Sequence, residues 1–190
     1  MHPCGEADLV LRILRADGDK ISLLAKNARR SKRRFGSSFD LFDRGRFEAG
    51  RGRGALALVQ SFIPGQAWRT VRSDIDRYIA AAVLCEVADH LIPEGVEPEG
   101  PASHTTVIDG LQAIEDAADS KEALRALYLA VANLLAIAGF LDQTLTQTPS
   151  ANFLRRLLDN VEQVTEKKLH SRESIEQILQ GLKMRENVIP

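Results

Sequence analysis

The chain has little cysteine, few aromatic rings beyond phenylalanine and no long apolar run, and each shortage closes off a class of protein. Cys4 and Cys85 are the only cysteines in 190 residues. Two thiols so far apart supply neither the disulfide framework of a small secreted domain nor the four ligands of a cysteine zinc site. A reducing, cytoplasmic compartment is the expectation. The first residues, Met1-His2-Pro3-Cys4-Gly5-Glu6, hold no basic segment followed by an apolar one, so they do not read as a signal peptide. The most apolar stretch, residues 126–141, is about one turn too short to cross a bilayer and contains Asn133, so it reads as a buried core helix and no membrane partner is expected.

Catalytic equipment is equally sparse. His2, His90, His104 and His170 lack the paired spacing of metal ligands, and Asp17 with Asp19, or Asp40 with Asp43, read as ordinary turn carboxylates. Ser37 and Ser38 have no neighbouring His to activate a nucleophile. The run Gly50-Arg51-Gly52-Arg53-Gly54 is not followed by the Gly-Lys-Ser/Thr of a nucleotide-binding loop, and reads as an arginine-bearing hairpin turn. The sequence therefore predicts a protein that is not an enzyme, uses no cofactor and holds no structural metal.

What is present is charge, unevenly spread. The formal net charge is -1, yet residues 1–72 hold 15 Lys and Arg against 7 Asp and Glu, while residues 73–190 hold 10 against 19. A basic first half beside an acidic second half predicts that the first meets a polyanion. The hydrophobic pattern changes at the same place. Leu9, Leu11 and Ile13 alternate with Val10, Arg12 and Leu14, and Asp17-Gly18 offers a tight turn into a returning strand over residues 20–26. Further strands are predicted over residues 39–47 and 55–63.

After Arg72 the period becomes helical. Ser73 and Asp76 resemble a capping box, Ile75, Ile79, Val83, Val87 and Leu91 mark one face, and Pro93 ends the helix. A loop over residues 94–103 precedes helices predicted at 105–117, 120–138, 150–169 and 171–184. Asp119 and Glu122 are placed to cap one of these, and Gly139 to end it. Leu124, Leu127, Tyr128, Val131, Leu134, Leu135 and Ile137 are spread over nearly all sides of that helix, which predicts the centre of a bundle. The expected organisation is a basic module of residues 1–72 and an acidic helical domain of residues 73–190.

The sharpest local signal follows the second strand: Lys26, Arg29, Arg30, Lys32, Arg33 and Arg34 are six cations within eleven residues. Arg44, Arg46, Arg51 and Arg53 lie in the same module. Phosphate binding needs positive charge dense enough to displace condensed counterions, and a loop lets long side chains converge on a backbone path. These ten residues are the candidate nucleic-acid site. Phe35, Phe39, Phe42 and Trp68 could stack on bases of a single strand, but core packing is the better reading of each.

Three segments then resemble, in order and spacing, the N-terminal module of the RecO family: Gly5-Glu6-Ala7-Asp8-Leu9-Val10-Leu11, Gly18-Asp19-Lys20-Ile21-Ser22-Leu23-Leu24-Ala25-Lys26 and Ala28-Arg29-Arg30-Ser31-Lys32-Arg33-Arg34-Phe35-Gly36. Gly45-Arg46-Phe47-Glu48, leading into Arg51-Gly52-Arg53-Gly54, is similar as well. Arg72-Ser73-Asp74-Ile75-Asp76-Arg77-Tyr78 resembles the start of the family's helical domain, Ala138-Gly139-Phe140 its Leu-Gly-Tyr helix end, and Leu169-His170-Ser171-Arg172 its last turn motif.

The resemblance implies an α+β chain: a small OB-like β-barrel that binds single- and double-stranded DNA, followed by an all-α domain. It also implies annealing of complementary strands and, with RecR, help for RecA in displacing single-stranded-DNA-binding protein from gapped DNA. Two departures stand out. Relatives usually have a strand ahead of the Gly-Glu motif, where only Met1 to Cys4 stand here, so the barrel is expected to lack its first strand or pair it poorly, leaving backbone groups of residues 9–15 unpaired. Many relatives also carry a four-cysteine module after the Leu-Gly-Tyr turn, and residues 141–149 contain no cysteine. An OB-fold with a basic loop serves RNA as well as DNA, so an RNA-binding or ribosome-associated module is the alternative function. A nuclease lacks the clustered carboxylates that two-metal chemistry needs.

Overall fold

A computed structural model describes residues 2–4, 6–30, 35, 39–51, 56–95, 100–141 and 150–186. The chain divides into two compact units, Met1–Trp68 with Glu94–Pro98, and Arg69–Pro93 with Glu99–Pro190.

The first unit is a five-stranded sheet: β1 (His2–Cys4), β2 (Asp8–Leu14), β3 (Lys20–Ala25), β4 (Gly45–Gly50) and β5 (Ala57–Pro64), in the order β1-β2-β3-β5-β4. β2 and β3 form the hairpin that the Asp17-Gly18 turn predicts, with Gly18 at φ 94° and its N–H donating to the Arg15 carbonyl at 2.9 Å. β3 and β5 are parallel and the other neighbours antiparallel. The first strand, expected to be missing or poorly paired, is present but short. Three residues suffice to pair His2 with Val10, Pro3 with Leu9 and Cys4 with Asp8. Leu9 and Val10 are thus paired on that side, and the strand order still runs from one end at β1 to another at β4 without closing among the described residues.

Alternation along the strands builds one apolar face. Leu11, Leu23 and Ala25 are buried, with Leu9, Ile13 and Ile21 packed beside them. In β5, Val59 and Phe62 are both buried although three residues apart, a spacing that would put them on opposite faces of a regular strand. The register supplies the reason: Glu48 pairs Ser61 and Ala49 pairs Val59, so Gln60 is the extra residue of a β-bulge that re-phases the strand. Phe35, Phe39, Phe47 and Phe62 complete this core, with the Phe47 and Phe62 centroids 4.5 Å apart and Phe35 and Phe39 4.9 Å apart. The strand predicted over residues 39–47 begins only at Gly45. Phe39 and Phe42 are instead buried from a turn, in which Asp40 donates its N–H to Asp43 Oδ2 at 2.9 Å.

The second unit holds six helices among the described residues: α1 (Arg69–Ser73), α2 (Ile75–Leu91), α3 (Ala102–Asp116), α4 (Ser120–Ile137), α5 (Ala151–Thr165) and α6 (Arg172–Glu186). The cap of α2 is Asp74, whose carboxylate accepts the Arg77 N–H at 2.9 Å, and not the expected Ser73, whose hydroxyl donates to the Thr70 carbonyl. Asp119 caps α4 through the Glu122 N–H, and the Glu122 carboxylate accepts the Ala118 N–H in return. At the far end, Gly139 at φ 77° closes α4, with Phe140 N–H reaching the Leu135 carbonyl and Gly139 N–H the Ala136 carbonyl.

α4 buries nine side chains but leaves a stripe through Arg125, Leu129, Asn133 and Ile137 exposed, so it is not surrounded as predicted. The helix that touches all five others is α2, whose buried face consists of Ala80, Ala81, Val83, Leu84, Val87 and Ala88. Small alanines permit that close approach on several sides. Among the described residues no helix is long and apolar enough to cross a membrane.

Candidate nucleic-acid interface

The basic loop grows from the end of β3, and short-range geometry fixes its root. Asn27 turns the chain through the left-handed region at φ 60°, a conformation asparagine tolerates better than most residues. Its N–H donates to Asp8 Oδ1 at 2.8 Å. Ala28 then drops into the sheet core, and the Arg29 N–H donates to the Ala7 carbonyl at 3.0 Å. The chain is in the core again at Phe35. Six residues, 29–34, thus lie between two buried anchors, and five of them are cations.

Lys26, Arg29 and Arg30 are exposed. The Arg29 guanidinium donates to the Glu6 carbonyl at 3.3 Å, and Arg30 forms an ion pair with the Glu6 carboxylate at 3.0 Å. Both partners of that pair are largely exposed, at 66% and 87%, so it is worth little, and a phosphate can displace the carboxylate. Lys32, Arg33, Arg34 and Arg53 lie outside the described residues.

Arg44, Arg46 and Arg51 are exposed along β4 and its two ends. Arg46 pairs Ile63 and alternates with the inward Phe47, so it stands on the outer face beside Glu48, whose carboxylate accepts the Ser61 hydroxyl at 2.6 Å. β5 lies between β3 and β4, so the strand that ends in the loop root and the strand that carries Arg46 stand on either side of one strand, about 10 Å apart laterally by two strand spacings. Arg44 and Arg51, seven residues apart, stand about 23 Å from each other along the strand direction. The six described candidates, Lys26, Arg29, Arg30, Arg44, Arg46 and Arg51, are therefore a track along one unit and not a single cluster. Arg46 on β4, an end strand of the sheet, also deters pairing with another chain.

Base stacking finds no platform among the four aromatics considered: Phe35, Phe39, Phe42 and Trp68 are all buried. Sequence reasoning missed the contribution of Glu6 and Asp8, two carboxylates inside a basic module. The contacts that use them span 19 and 24 residues, and no local pattern announces them.

Among the described residues no group of three or more His, Cys, Asp and Glu could hold a metal. The helical unit has its own carboxylate anchors. Glu115 accepts the Thr70 and Val71 N–H groups, both at 2.9 Å, at the start of α1. Burial by itself would raise its carboxyl, but these N–H bonds outweigh burial and hold it below the ordinary value.

Comparison with known proteins matches the same module. A family model described as Recombination protein O N terminal covers residues 1–64. The chain is 33% identical over 136 residues to the DNA repair protein RecO of Bifidobacterium adolescentis, across 72% of this chain and 54% of that one. It is 32% identical over 115 residues to the DNA repair protein RecO of Cutibacterium acnes, across 60% of this chain and 46% of that one. A third relative, the DNA repair protein RecO of Bifidobacterium animalis subsp. lactis, is 31% identical over 132 residues, with 70% and 55% covered. The chain spans about half the length of the curated relatives it matches. With a five-stranded sheet ahead of a helical unit, and with the family's N-terminal model over residues 1–64, this chain belongs to the RecO family.

Proposed function

We propose that the chain is a DNA-binding accessory protein of recombinational repair that acts without catalysing a bond change. The observation that carries this reading is the basic loop, rooted at Ala28 and Phe35, which holds five cations between two core anchors. Such anchoring lowers the entropy lost when the side chains settle on phosphates. Lys26, Arg29, Arg30, Lys32, Arg33 and Arg34 form the primary contact, and Arg44, Arg46, Arg51 and Arg53 extend it along β4 and its connection to β5. With four aromatic candidates buried, recognition rests on phosphates and is insensitive to base sequence.

On this reading the protein holds single- and double-stranded DNA and promotes annealing of complementary strands. RecR and the single-stranded-DNA-binding protein are its partners in loading RecA onto gapped DNA, by analogy with the family, in the bacterial cytoplasm. Residues 1–72 supply the DNA contact and residues 73–190 the partner contacts. The test is strand annealing with and without single-stranded-DNA-binding protein, beside competition between DNA and RNA of the same length and sequence. Faster annealing and preference for DNA support the reading. No acceleration, with tighter binding to RNA, favours the ribosome-associated alternative.

A further inference from the structure

We infer that Asp8 is a positioning residue for nucleic-acid binding: as the acceptor for the Asn27 N–H, it fixes the root of the basic loop, although its own charge opposes a phosphate. This inference rests on the reading of the loop as the DNA contact.

Three observations converge on it. Asp8 Oδ1 accepts the Asn27 N–H at 2.8 Å, at the one described residue of the sheet unit other than glycine with a positive φ. The next residue, Ala28, is buried, and the next again, Arg29, is bound through its N–H to the Ala7 carbonyl and through its guanidinium to the Glu6 carbonyl. Glu6, Ala7 and Asp8 thus hold Asn27, Arg29 and Arg30 by four contacts, three of them to the backbone of one partner or the other and one an ion pair.

Asp8 is also the last residue that pairs with β1, opposite Cys4, so its own backbone is held by the sheet. Without the Asp8 acceptor, Asn27 has no compensation for a left-handed conformation that costs free energy for any residue with a Cβ. The exit direction of the chain after β3 then relaxes, and Lys26, Arg29 and Arg30 lose their alignment with the phosphate path.

The inference separates from bulk electrostatics because the two predict opposite signs. Removing a negative charge from a phosphate-binding surface strengthens binding on charge alone. Asp8→Asn and Asp8→Ala remove the same charge, but only Asn keeps an oxygen able to accept the Asn27 N–H. Asp8→Glu keeps the charge and moves the acceptor by one methylene.

The experiment is titration of the full chain and these variants against a labelled oligothymidine at several salt concentrations, with a thermal melt of each variant. Asp8→Asn should bind as wild type or slightly tighter. Asp8→Ala and Asp8→Glu should bind roughly tenfold more weakly near 0.1 M salt, with a salt slope shallower by about 1.4, the equivalent of two lost phosphate contacts. A purely structural defect would lower the melting temperature without separating Asn from Ala in slope. Should Asp8→Ala fail to fold, the pair Asp8→Glu and Asp8→Asn carries the comparison. Equal affinities and slopes across the three variants overturn the positioning role while leaving the DNA contact intact. Absence of salt-dependent binding by the wild type overturns both.

Discussion

Glu86 offers a perturbation whose size follows from the structure. From the middle of α2 it accepts the His170 N–H at 2.7 Å, the Ser171 N–H at 3.0 Å and the Ser171 hydroxyl at 2.5 Å, holding the turn that opens α6. A hydrogen bond to a charged group contributes about 1.5–3 kcal/mol, but His170 is exposed and water replaces part of what is lost. Glu86→Ala should therefore cost about 2–3 kcal/mol in total, below the sum of three independent bonds. Glu86→Gln, which keeps one accepting oxygen, should cost about half as much. The dependence on pH has a definite sign. Burial pushes the Glu86 carboxyl up, but the Ser171 and His170 bonds and the nearby His90 outweigh it, so its pKa lies below the ordinary 4.5. A depressed carboxyl stabilises the fold fully above about pH 4.5 and loses that contribution as pH falls through the folded value. His90, held below its ordinary 6.5 chiefly by burial, begins an earlier loss, because the unfolded chain binds a proton there first as pH drops below 6.5. Urea unfolding of wild type, Glu86→Ala and Glu86→Gln at pH 7.5, 5.5 and 4 measures all of this. If Glu86→Ala unfolds within about 0.5 kcal/mol of wild type at pH 7.5, the anchor has no energetic weight.

Other outcomes follow from single residues. Gly110→Ala gains about 1 kcal/mol of helix propensity but puts its Cβ 2.8 Å from both Ala130 Cβ and Leu84 Cδ2; crowding should win, with a net loss of about 1 kcal/mol in a melt. Burial pushes the Cys85 thiol up to about 12, so iodoacetamide at pH 8 should label the exposed Cys4 and spare Cys85 until the protein unfolds, as mass spectrometry reads. Glu6→Gln frees Arg30 from its ion pair and should tighten DNA binding by at most about fivefold, the equivalent of one exposed pair. A chelator should leave the melting temperature unchanged.

What was legible in the sequence was local. The Asp17-Gly18 turn, the Asp119 and Glu122 cap and the Gly139 helix end each depend on residues within a few positions of one another, and each stands as read. The misreadings involve contacts that a window cannot hold. β1 is three residues long and exists because β2 offers it a partner. Phe39 and Phe42 suggested a strand because aromatic residues favour strands, but their spacing of three fits a turn that sends both rings inward. Gln60 breaks the period of β5 only because β4 lies opposite. In α2, weighting by hydropathy picked out Ile75, which is 70% exposed, and passed over the alanines that let neighbouring helices approach. For the candidate site, charge density in residues 26–36 was visible from composition, whereas the Glu6 and Asp8 contacts depend on the β2–β3 pairing that brings residues about twenty apart together.

The central claim is that the basic loop binds nucleic acid through phosphates, and a salt titration tests it most directly. Wild type and a variant with Arg29, Arg30, Lys32, Arg33 and Arg34 replaced by Ala should be titrated against one single-stranded oligonucleotide between about 50 and 200 mM salt. If five cations each neutralise one phosphate, the wild type should show a slope of roughly -3.5 in log affinity against log salt, a loss of about a hundredfold over that range. The five-Ala variant should lose most of that slope, to the same extent on oligonucleotides of different sequence, with the helical unit still folded. Equal affinities and equal slopes for the two proteins would contradict the claim and leave the loop a solvated surface feature.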